Sequence, residues 1–143
     1  VWLSDLKWET ATAGWTRNGD KIPRLDRDAA DNRLRAGRRR FRKGIGTHAP
    51  SEIVYRLDGK FARFHAFVCG AEAKGTVVFQ VWADGKKLYD SGVMRGLEGV
   101  KAIDLPIAGV RRLRLVVTIA GDHYYCDMAN WAGARLGRAG DAQ

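Results

Sequence analysis

The sequence contains little cysteine and histidine and no long apolar run, and each scarcity excludes a class of protein. Among 143 residues there are two cysteines, Cys69 and Cys126, and three histidines. The cysteines are too few and too far apart for a zinc-binding pattern, and their spacing leaves open whether they form a disulfide. No two histidines stand at metal-ligand spacing. No run of about 18 apolar residues occurs, so we expect no membrane insertion.

Motifs of catalysis are also missing. No serine or cysteine lies in a nucleophile-elbow sequence, and nothing among the sixteen acidic residues singles out a pair for glycoside hydrolysis. The first ten residues lack the layout of a signal peptide, and the chain opens on Val1, so we expect a piece of a longer or processed protein. The expectation is a binding protein, not an enzyme, that requires no cofactor.

Negative charge is scarce relative to positive charge. Twenty-five basic and sixteen acidic residues give a net charge of +9, and seven of the eleven residues from Arg33 to Lys43 are basic. Such a run is typical of a site for nucleic acid or sulfated polysaccharide, and it is equally typical of a solvated loop or edge strand. The candidates for contact with an anionic ligand are Arg38, Arg39, Arg40, Arg42 and Lys43.

Short apolar runs bounded by glycine, aspartate and asparagine recur along the chain, whereas helical periodicity is scarce. Along residues 52–57 and 60–68, more apolar side chains alternate with more polar ones. The Asp-Gly pair at residues 58–59 predicts a tight hairpin turn between these two strands. A second Asp-Gly hairpin is predicted at residues 84–85. This pattern predicts an all-β fold, a β-sandwich of the jelly-roll type with eight or nine short antiparallel strands.

The chain length fits one hydrophobic core. We expect a single domain over residues 1–137 and a frayed C-terminal tail over residues 138–143. Residues 2–6 are predicted to form an opening strand, and residues 10–40, which are polar and contain several glycines, are predicted to form long loops over the sheet edge. Three tryptophans within predicted strands are expected to fill the core or cover a sheet: Trp2, Trp82 and Trp131.

Five segments occur in an order and at separations that are specific when taken together. They are "WLSDL", "GW" at Gly14-Trp15, "KGIGTHAPSEIVYRLDGKF", "VVFQVWADGKKLYDSGVM" and "LRLVVTIAGD…DMANWAGARL". From Trp2 to Leu136 the chain closely resembles the NPCBM family, also called carbohydrate-binding module family 51.

This resemblance implies a galactose-binding-domain-like β-sandwich of the kind appended to secreted glycoside hydrolases. It implies a carbohydrate ligand, namely galactose or galactose-containing glycans, and no chemistry by the module itself. It further implies an attached catalytic domain in the full-length protein and a secreted, periplasmic or cell-surface location. We expect a monomer, and we do not expect nucleic acid as the partner.

Near its C-terminus the chain departs from the usual family sequence. Met128 stands where histidine is usual, Asn130 where aspartate is usual and Gly133 where an acidic residue is usual. Structural calcium is common in this type of sandwich and requires about six to eight oxygen ligands, so the missing carboxylates weigh against the ion in this chain. Asp127 and Asn130 are the weak candidates for a metal site.

Sugar binding needs an aromatic face against the C–H groups of a pyranose and fixed donors and acceptors around its hydroxyls. Trp15 is the first candidate platform, because it lies in a polar loop region; the alternative is that its indole plugs one end of the sandwich. Tyr124 and Tyr125 form the second candidate, with at least one expected to reach solvent. The residues predicted to contact sugar are Trp15, Arg17, Asn18, His48, His123, Tyr124 and Tyr125.

The histidine in "KGIGTHAP", His48, is open to three interpretations. It is a buried histidine satisfied by backbone groups, a hydrogen-bonding partner of a sugar hydroxyl, or a metal ligand. Gly44 and Gly46 allow backbone conformations that other residues rarely adopt.

Two hypotheses from other classes compete with the carbohydrate-binding module. In the first, the basic run at residues 33–43 binds anionic polysaccharide or nucleic acid, and the affinity falls steeply as salt is added. In the second, the sandwich is an interdomain packing or protein-interaction module, which predicts a large exposed apolar patch and no affinity for glycans.

Overall fold

The computed structural model describes residues 1–97, 99–120 and 127–140, and within these ranges the regular secondary structure consists of β-strands and one short 3-10 helix. No helix in these ranges is long and apolar enough to cross a membrane. The elements, in chain order, are the 3-10 helix η1 (Leu3–Asp5) and the strands β1 (Thr10–Thr12), β2 (Arg24–Leu25), β3 (Arg35–Ala36), β4 (Arg39–Arg40), β5 (Gly44–His48), β6 (Ser51–Arg56), β7 (Arg63–Gly70), β8 (Thr76–Ala83), β9 (Lys86–Asp90), β10 (Met94–Arg95), β11 (Lys101–Pro106), β12 (Arg112–Thr118) and β13 (Met128–Gly137).

Two sheets enclose the core. The six-stranded sheet has the order β1-β6-β12-β8-β10, with β9 also paired to β8, and the five-stranded sheet has the order β11-β7-β13-β5-β2. The strands β3 and β4 form a separate hairpin. All of these pairs are antiparallel, and neighbours such as β5 and β13 are far apart in sequence. The predicted all-β sandwich is confirmed.

Alternation along the strands separates core-facing from outward-facing side chains. On β7, Phe64, Ala66 and Val68 are buried, while the intervening side chains are partly exposed except near the strand end. On β12, Leu113 and Leu115 face the core in the same way. Because successive side chains of a strand point to opposite faces, these inward-facing sets were predictable from the sequence, and they are confirmed.

Trp131 on β13 lies at the centre of the core and is fully buried. Its indole meets Phe79 edge-on, with ring centroids 5.0 Å apart, and lies 6.5 Å from the ring of Phe64. Trp82 is half-buried on the outer face of the six-stranded sheet, where the Arg114 guanidinium lies 4.8 Å above its ring. The predicted core and sheet-covering positions of these two tryptophans are confirmed.

Both predicted hairpin turns are present. Asp58 and Gly59 have φ values of 53° and 74°, and Asp84 and Gly85 have φ values of 50° and 81°. Positive φ at both central residues produces the tight turn that matches the twist of the flanking strands, and an Asp-Gly pair adopts it with little strain.

The opening strand predicted at residues 2–6 is wrong. These residues contain η1, because the backbone N–H groups of Asp5 and Leu6 donate to carbonyls three residues earlier, at 3.0 and 3.1 Å. Trp2 keeps one isolated bridge to Arg135 and is 37% exposed. A turn of 3-10 helix satisfies backbone groups locally, and a five-residue apolar pattern does not distinguish it from a strand.

The prediction of long loops over residues 10–40 is only partly right. This segment contains β1 to β4, each of two or three residues, so the strands number more than the eight or nine expected. Strands this short carry no measurable alternation of apolar and polar side chains, and their pairing depends on distant partners.

Residues 26–43 cover part of the outer face of the five-stranded sheet. Leu34 is fully buried there with Ala132 in a second, smaller apolar cluster. Gly46 on β5 permits the close packing, because a Cβ atom at that position would collide with the backbone carbonyl of Arg27. A glycine in the middle of a strand here marks the approach of another stretch of backbone.

Cys69 is buried at the end of β7, and its Sγ donates to the Leu97 carbonyl at 3.1 Å. Burial raises the pKa of this thiol. Cys126 lies outside the described residues.

Candidate functional site

Trp15 lies in the loop after β1, near the end of β5. The residue is 41% exposed, and its indole is tilted at 57° to the His48 ring, with centroids 5.9 Å apart. An indole that is supported on one side and open to water on the other has the form of a stacking platform. The exposure of the indole favours the interpretation of Trp15 as a stacking platform over the alternative in which the indole plugs one end of the sandwich.

The backbone next to Trp15 is fixed against the end of β5. The Gly14 N–H donates to the His48 carbonyl at 2.8 Å, and a Cβ atom on Gly14 would collide with the Ala49 carbonyl. Only glycine lets the loop pack this closely on the Ala49–Pro50 peptide, which is cis. The "GW" pair therefore has a physical reason: the glycine allows the contact, and the contact holds the tryptophan in place.

His48 is buried, at 4% exposed, and both of its ring nitrogens bond to backbone groups. Its Nδ1 lies 2.6 Å from the Ala49 carbonyl, and its Nε2 accepts the backbone N–H of Asp127 at 3.3 Å. Because Nε2 accepts, the proton of the neutral ring is on Nδ1, which donates to the carbonyl. This is the geometry of a buried histidine satisfied by backbone groups. Its contact with a sugar hydroxyl stays a prediction.

Asp127 joins three elements at this end of the sandwich. It is 1% exposed, and its Oδ1 accepts the backbone N–H of Thr76 at the start of β8 at 3.0 Å. Its carbonyl accepts the Ala49 N–H at 2.9 Å, and its own N–H bonds to His48. The sequence named Asp127 only as a weak metal candidate and gave no signal for this linking position.

The loop after Trp15 is held by hydrogen bonds to the Asp20 carboxylate. Asp20 Oδ1 accepts from the backbone N–H of Ile22 at 3.0 Å, the Thr16 hydroxyl at 2.9 Å and the Arg24 guanidinium at 2.6 Å. These bonds stabilise the ionised form, with the Ile22 N–H contributing most, and lower the pKa of Asp20 to about 2. The loop is thus ordered before any ligand arrives, which reduces the entropy cost of binding.

Arg17 and Asn18 are exposed in the same loop as Trp15. Arg17 Nη1 makes one long contact to the Ala30 carbonyl, at 3.4 Å. Asn18 Oδ1 accepts from Arg24 at 2.7 Å and from the Asp20 backbone N–H at 3.1 Å, and within the part of the chain that the structure describes the amide N–H groups of Asn18 make no hydrogen bond. The remaining predicted sugar contacts lie outside the described residues: His123, Tyr124 and Tyr125.

The expectation that the C-terminal sequence departures disfavour calcium stays a prediction, and the contacts of these residues bear on it. Asn130 is buried, and its Nδ2 donates to the Arg35 carbonyl at 2.9 Å, so that carbonyl faces an N–H donor instead of a cation. Gly133 supplies no ligand atom from a side chain, and the Asp127 carboxylate already accepts from Thr76. Within residues 1–97, 99–120 and 127–140, no group of three or more His, Cys, Asp or Glu side chains is placed to hold a metal ion.

The basic run at residues 33–43 forms the β3–β4 hairpin and the chain that follows it. Lys43, at its end, is paired with Asp5 at 2.8 Å and with Asp26 at 3.0 Å. The hydrogen bond that Lys43 donates to Asp5 is the main cause of the raised pKa of Lys43, followed by the one it donates to Asp26. The other candidates for contact with an anion are exposed: Arg38, Arg39, Arg40 and Arg42.

A family model described as "NPCBM/NEW2 domain" matches residues 1–137 of this chain. The chain belongs to the NPCBM family. The resemblance carried by the five sequence segments is confirmed, since the match extends over all of them.

Solved structures similar to this NPCBM domain are modules of carbohydrate-binding family 51. The CBM51 of a Clostridium perfringens GH95 protein, solved with methyl-galactose, is 35% identical with a TM-score of 0.85, and the similarity covers 95% of this domain and 98% of that chain. CBM51-2 of Clostridium perfringens ZmpB, solved with GlcNAc and INT domains, is 31% identical with a TM-score of 0.87, covering 97% of this domain and 32% of that chain. This NPCBM domain is therefore a carbohydrate-binding module.

Two curated relatives are large proteins of which this domain covers a small part. A putative endo-alpha-N-acetylgalactosaminidase of Renibacterium salmoninarum is 31% identical over 149 residues, and alpha-1,3-galactosidase B of Akkermansia muciniphila is 32% identical over 139 residues. These matches cover 95% and 90% of this domain but only 9% and 17% of the relatives. The activities in the two names belong to those whole proteins.

Proposed function

We propose that this NPCBM domain binds galactose or galactose-containing glycans at the end of the sandwich that carries Trp15. The observation that carries the proposal is the exposed Trp15 indole, supported by the His48 ring at 5.9 Å. Support for galactose comes from the 35% identical module solved with methyl-galactose. The two curated relatives are named as an N-acetylgalactosaminidase and a galactosidase, which fits the same class of sugar.

The chemistry of galactose suits this site. Its axial 4-hydroxyl leaves one face of the pyranose ring rich in C–H groups, and these groups pack on the indole of Trp15. Arg17 and the amide of Asn18 donate to the hydroxyls around the ring edge. His48 acts as a positioning residue that fixes the indole.

The domain serves to hold an attached glycoside hydrolase domain against its glycan. It acts as a monomer in a secreted, periplasmic or cell-surface protein, a location supported by the carbohydrate-active relatives. It needs no calcium, a proposal supported by the Asn130 amide that donates to the Arg35 carbonyl.

Isothermal titration calorimetry with methyl galactoside, methyl glucoside and GlcNAc tests the proposal. We expect methyl galactoside to bind with a Kd on the order of 0.1–1 mM, because the site is shallow and each hydroxyl bond replaces one to water. We expect at least about tenfold weaker binding of the glucoside, since its 4-hydroxyl is equatorial.

Salt and chelator are the controls in this titration. Raising sodium chloride from about 0.05 M to about 0.3 M and adding EDTA should leave the affinity for methyl galactoside unchanged, because no ion pair or metal takes part. Equal binding of the glucoside, or tighter binding of GlcNAc, would reject the galactose assignment. No binding of any sugar would favour the interdomain packing module.

A further inference from the structure

Two adjoining hollows lie on the outer face of the five-stranded sheet, beside the β3–β4 hairpin. Their volumes are about 410 and 220 Å³, and they share Trp2, Arg39, Phe41 and Gly133, so they form one continuous groove. We call it the arginine groove and define it by Trp2, Arg39, Arg40, Phe41, Arg42 and Arg135. It shares no residue with the surface around Trp15.

Aromatic rings line the arginine groove. Trp2 is 37% exposed, and the half-buried Phe41 ring packs against Phe67 with centroids 5.5 Å apart. Gly133 lies beside Phe41, where a Cβ atom would come within 3.1 Å of the ring. The absence of a side chain at Gly133 keeps the groove open next to Phe41. The groove therefore offers flat apolar surface of the kind on which sugar rings pack.

Three arginines of the groove are not neutralised by any of the described residues. Arg39 places its guanidinium 4.6 Å above the Phe41 ring and 5.5 Å from that of Phe67, a stack that orders the side chain. Among the described residues, Arg39, Arg40 and Arg42 have no ion-pair partner and no side-chain hydrogen bond to the protein. Their planar N–H forks are free to bind a carboxylate or a sulfate in bidentate fashion.

Acidic side chains at the edge of the groove are already paired. Asp104 lines one end and accepts from Arg63 at 2.8 Å. At the other end Lys43 is paired with Asp5 and Asp26, so these two carboxylates neutralise the lysine and not the arginines. The groove thus keeps a net positive charge.

We propose that the arginine groove is a second binding site, specific for glycans that carry sulfate or carboxylate groups. The arginines bind the anionic substituents, and the exposed Trp2 indole contacts a sugar ring. A glycan is favoured over nucleic acid because the unpaired arginines are clustered on one short hairpin, whereas nucleic-acid binding proteins commonly neutralise about six to ten phosphates along a track. This site goes beyond the proposed galactose site and stands even if that proposal fails.

The test compares the double variant R39Q/R40Q with the matched control K60Q/R111Q, which loses the same two charges from exposed turns elsewhere. The probes are hexasaccharides of chondroitin sulfate and of hyaluronan, which separate sulfate from carboxylate recognition, and a dT oligonucleotide of similar charge. We expect R39Q/R40Q to bind chondroitin sulfate at least about tenfold more weakly, and the control to change by less than about twofold. Methyl galactoside binding should be unchanged in both variants.

The variant W2A separates a sugar site from a charged patch. It keeps every arginine, so a loss of at least about fivefold for chondroitin sulfate would show contact with the sugar ring. Unchanged binding by W2A, an equal loss in the control, no binding of either hexasaccharide, or tighter binding of the oligonucleotide would each overturn the proposal. Melting temperatures confirm that the variants compared are folded.

Discussion

Replacing Trp15 with alanine is expected to abolish measurable binding of methyl galactoside while the domain stays folded. The indole is 41% exposed, so its removal takes little from the core, but it removes the whole platform. Truncating a central aromatic contact typically costs about 2–4 kcal/mol of binding free energy. A loss of that size moves a Kd that begins near the millimolar range beyond detection by calorimetry.

W2A is the matched control for W15A, since Trp2 is exposed to a similar degree at 37% but lies in the arginine groove. The two variants should give opposite results. W15A loses the neutral galactoside and keeps the anionic glycan, while W2A binds the anionic glycan more weakly and keeps its affinity for the galactoside. Retention of galactoside affinity by W15A would rule out Trp15 as the platform.

Replacing Trp131 with alanine is expected to lower the free energy of unfolding by about 3–5 kcal/mol. The side chain is fully buried between the two sheets, where it contacts Phe79 and Phe64, and a surrounding sandwich of paired strands has little freedom to collapse into the cavity. Urea denaturation followed by circular dichroism measures the loss. A change below about 1 kcal/mol would contradict the central position of Trp131.

Two further variants refine the stability prediction. Trp131→Phe should cost much less than Trp131→Ala, because it keeps an aromatic ring and also removes the buried Nε1 donor, which has no hydrogen-bond partner among the described residues. Trp82→Ala is the surface control. It removes a half-buried indole beneath Arg114 and should cost less than either core variant.

The regular part of the fold was predictable because two simple signals agree there. Alternation places Phe64, Ala66 and Val68 on one face of β7, and the Asp-Gly pairs fix the turns through positive φ values. Both signals are local, so they can be read from neighbouring residues. The pairing of β13 with β5 and β7 is not local, and no pattern among neighbouring residues predicted it.

The segment from residue 13 to residue 43 resisted prediction for a physical reason. Its shape depends on close contacts between backbone segments, such as those of Gly46 with the Arg27 carbonyl and of Gly14 with the Ala49 carbonyl. It also depends on carboxylates such as that of Asp20, which accept several hydrogen bonds at once. No periodic pattern of apolar and polar residues in the sequence signals these contacts. What the sequence does record is the glycine at each close approach.

The candidate site was predicted unevenly. Trp15 emerged as a candidate because a tryptophan in a polar loop is unusual, and its exposure supports the proposed role. The sequence left His48 open between burial and sugar contact, and the structure shows its ring nitrogens on backbone groups. It also shows Lys43, one of the anion candidates, held by Asp5 and Asp26. Those pairings join residues up to 38 positions apart and leave no local signal.

The most direct test of the galactose site is a titration of the domain with methyl galactoside, followed through the indole N–H resonances of its five tryptophans by NMR. If a galactose ring packs on Trp15, the Trp15 resonance, assigned by its loss in W15A, shifts progressively and saturates, while that of the buried Trp131 stays in place. A galactoside that binds while the Trp15 resonance remains unmoved would contradict the account.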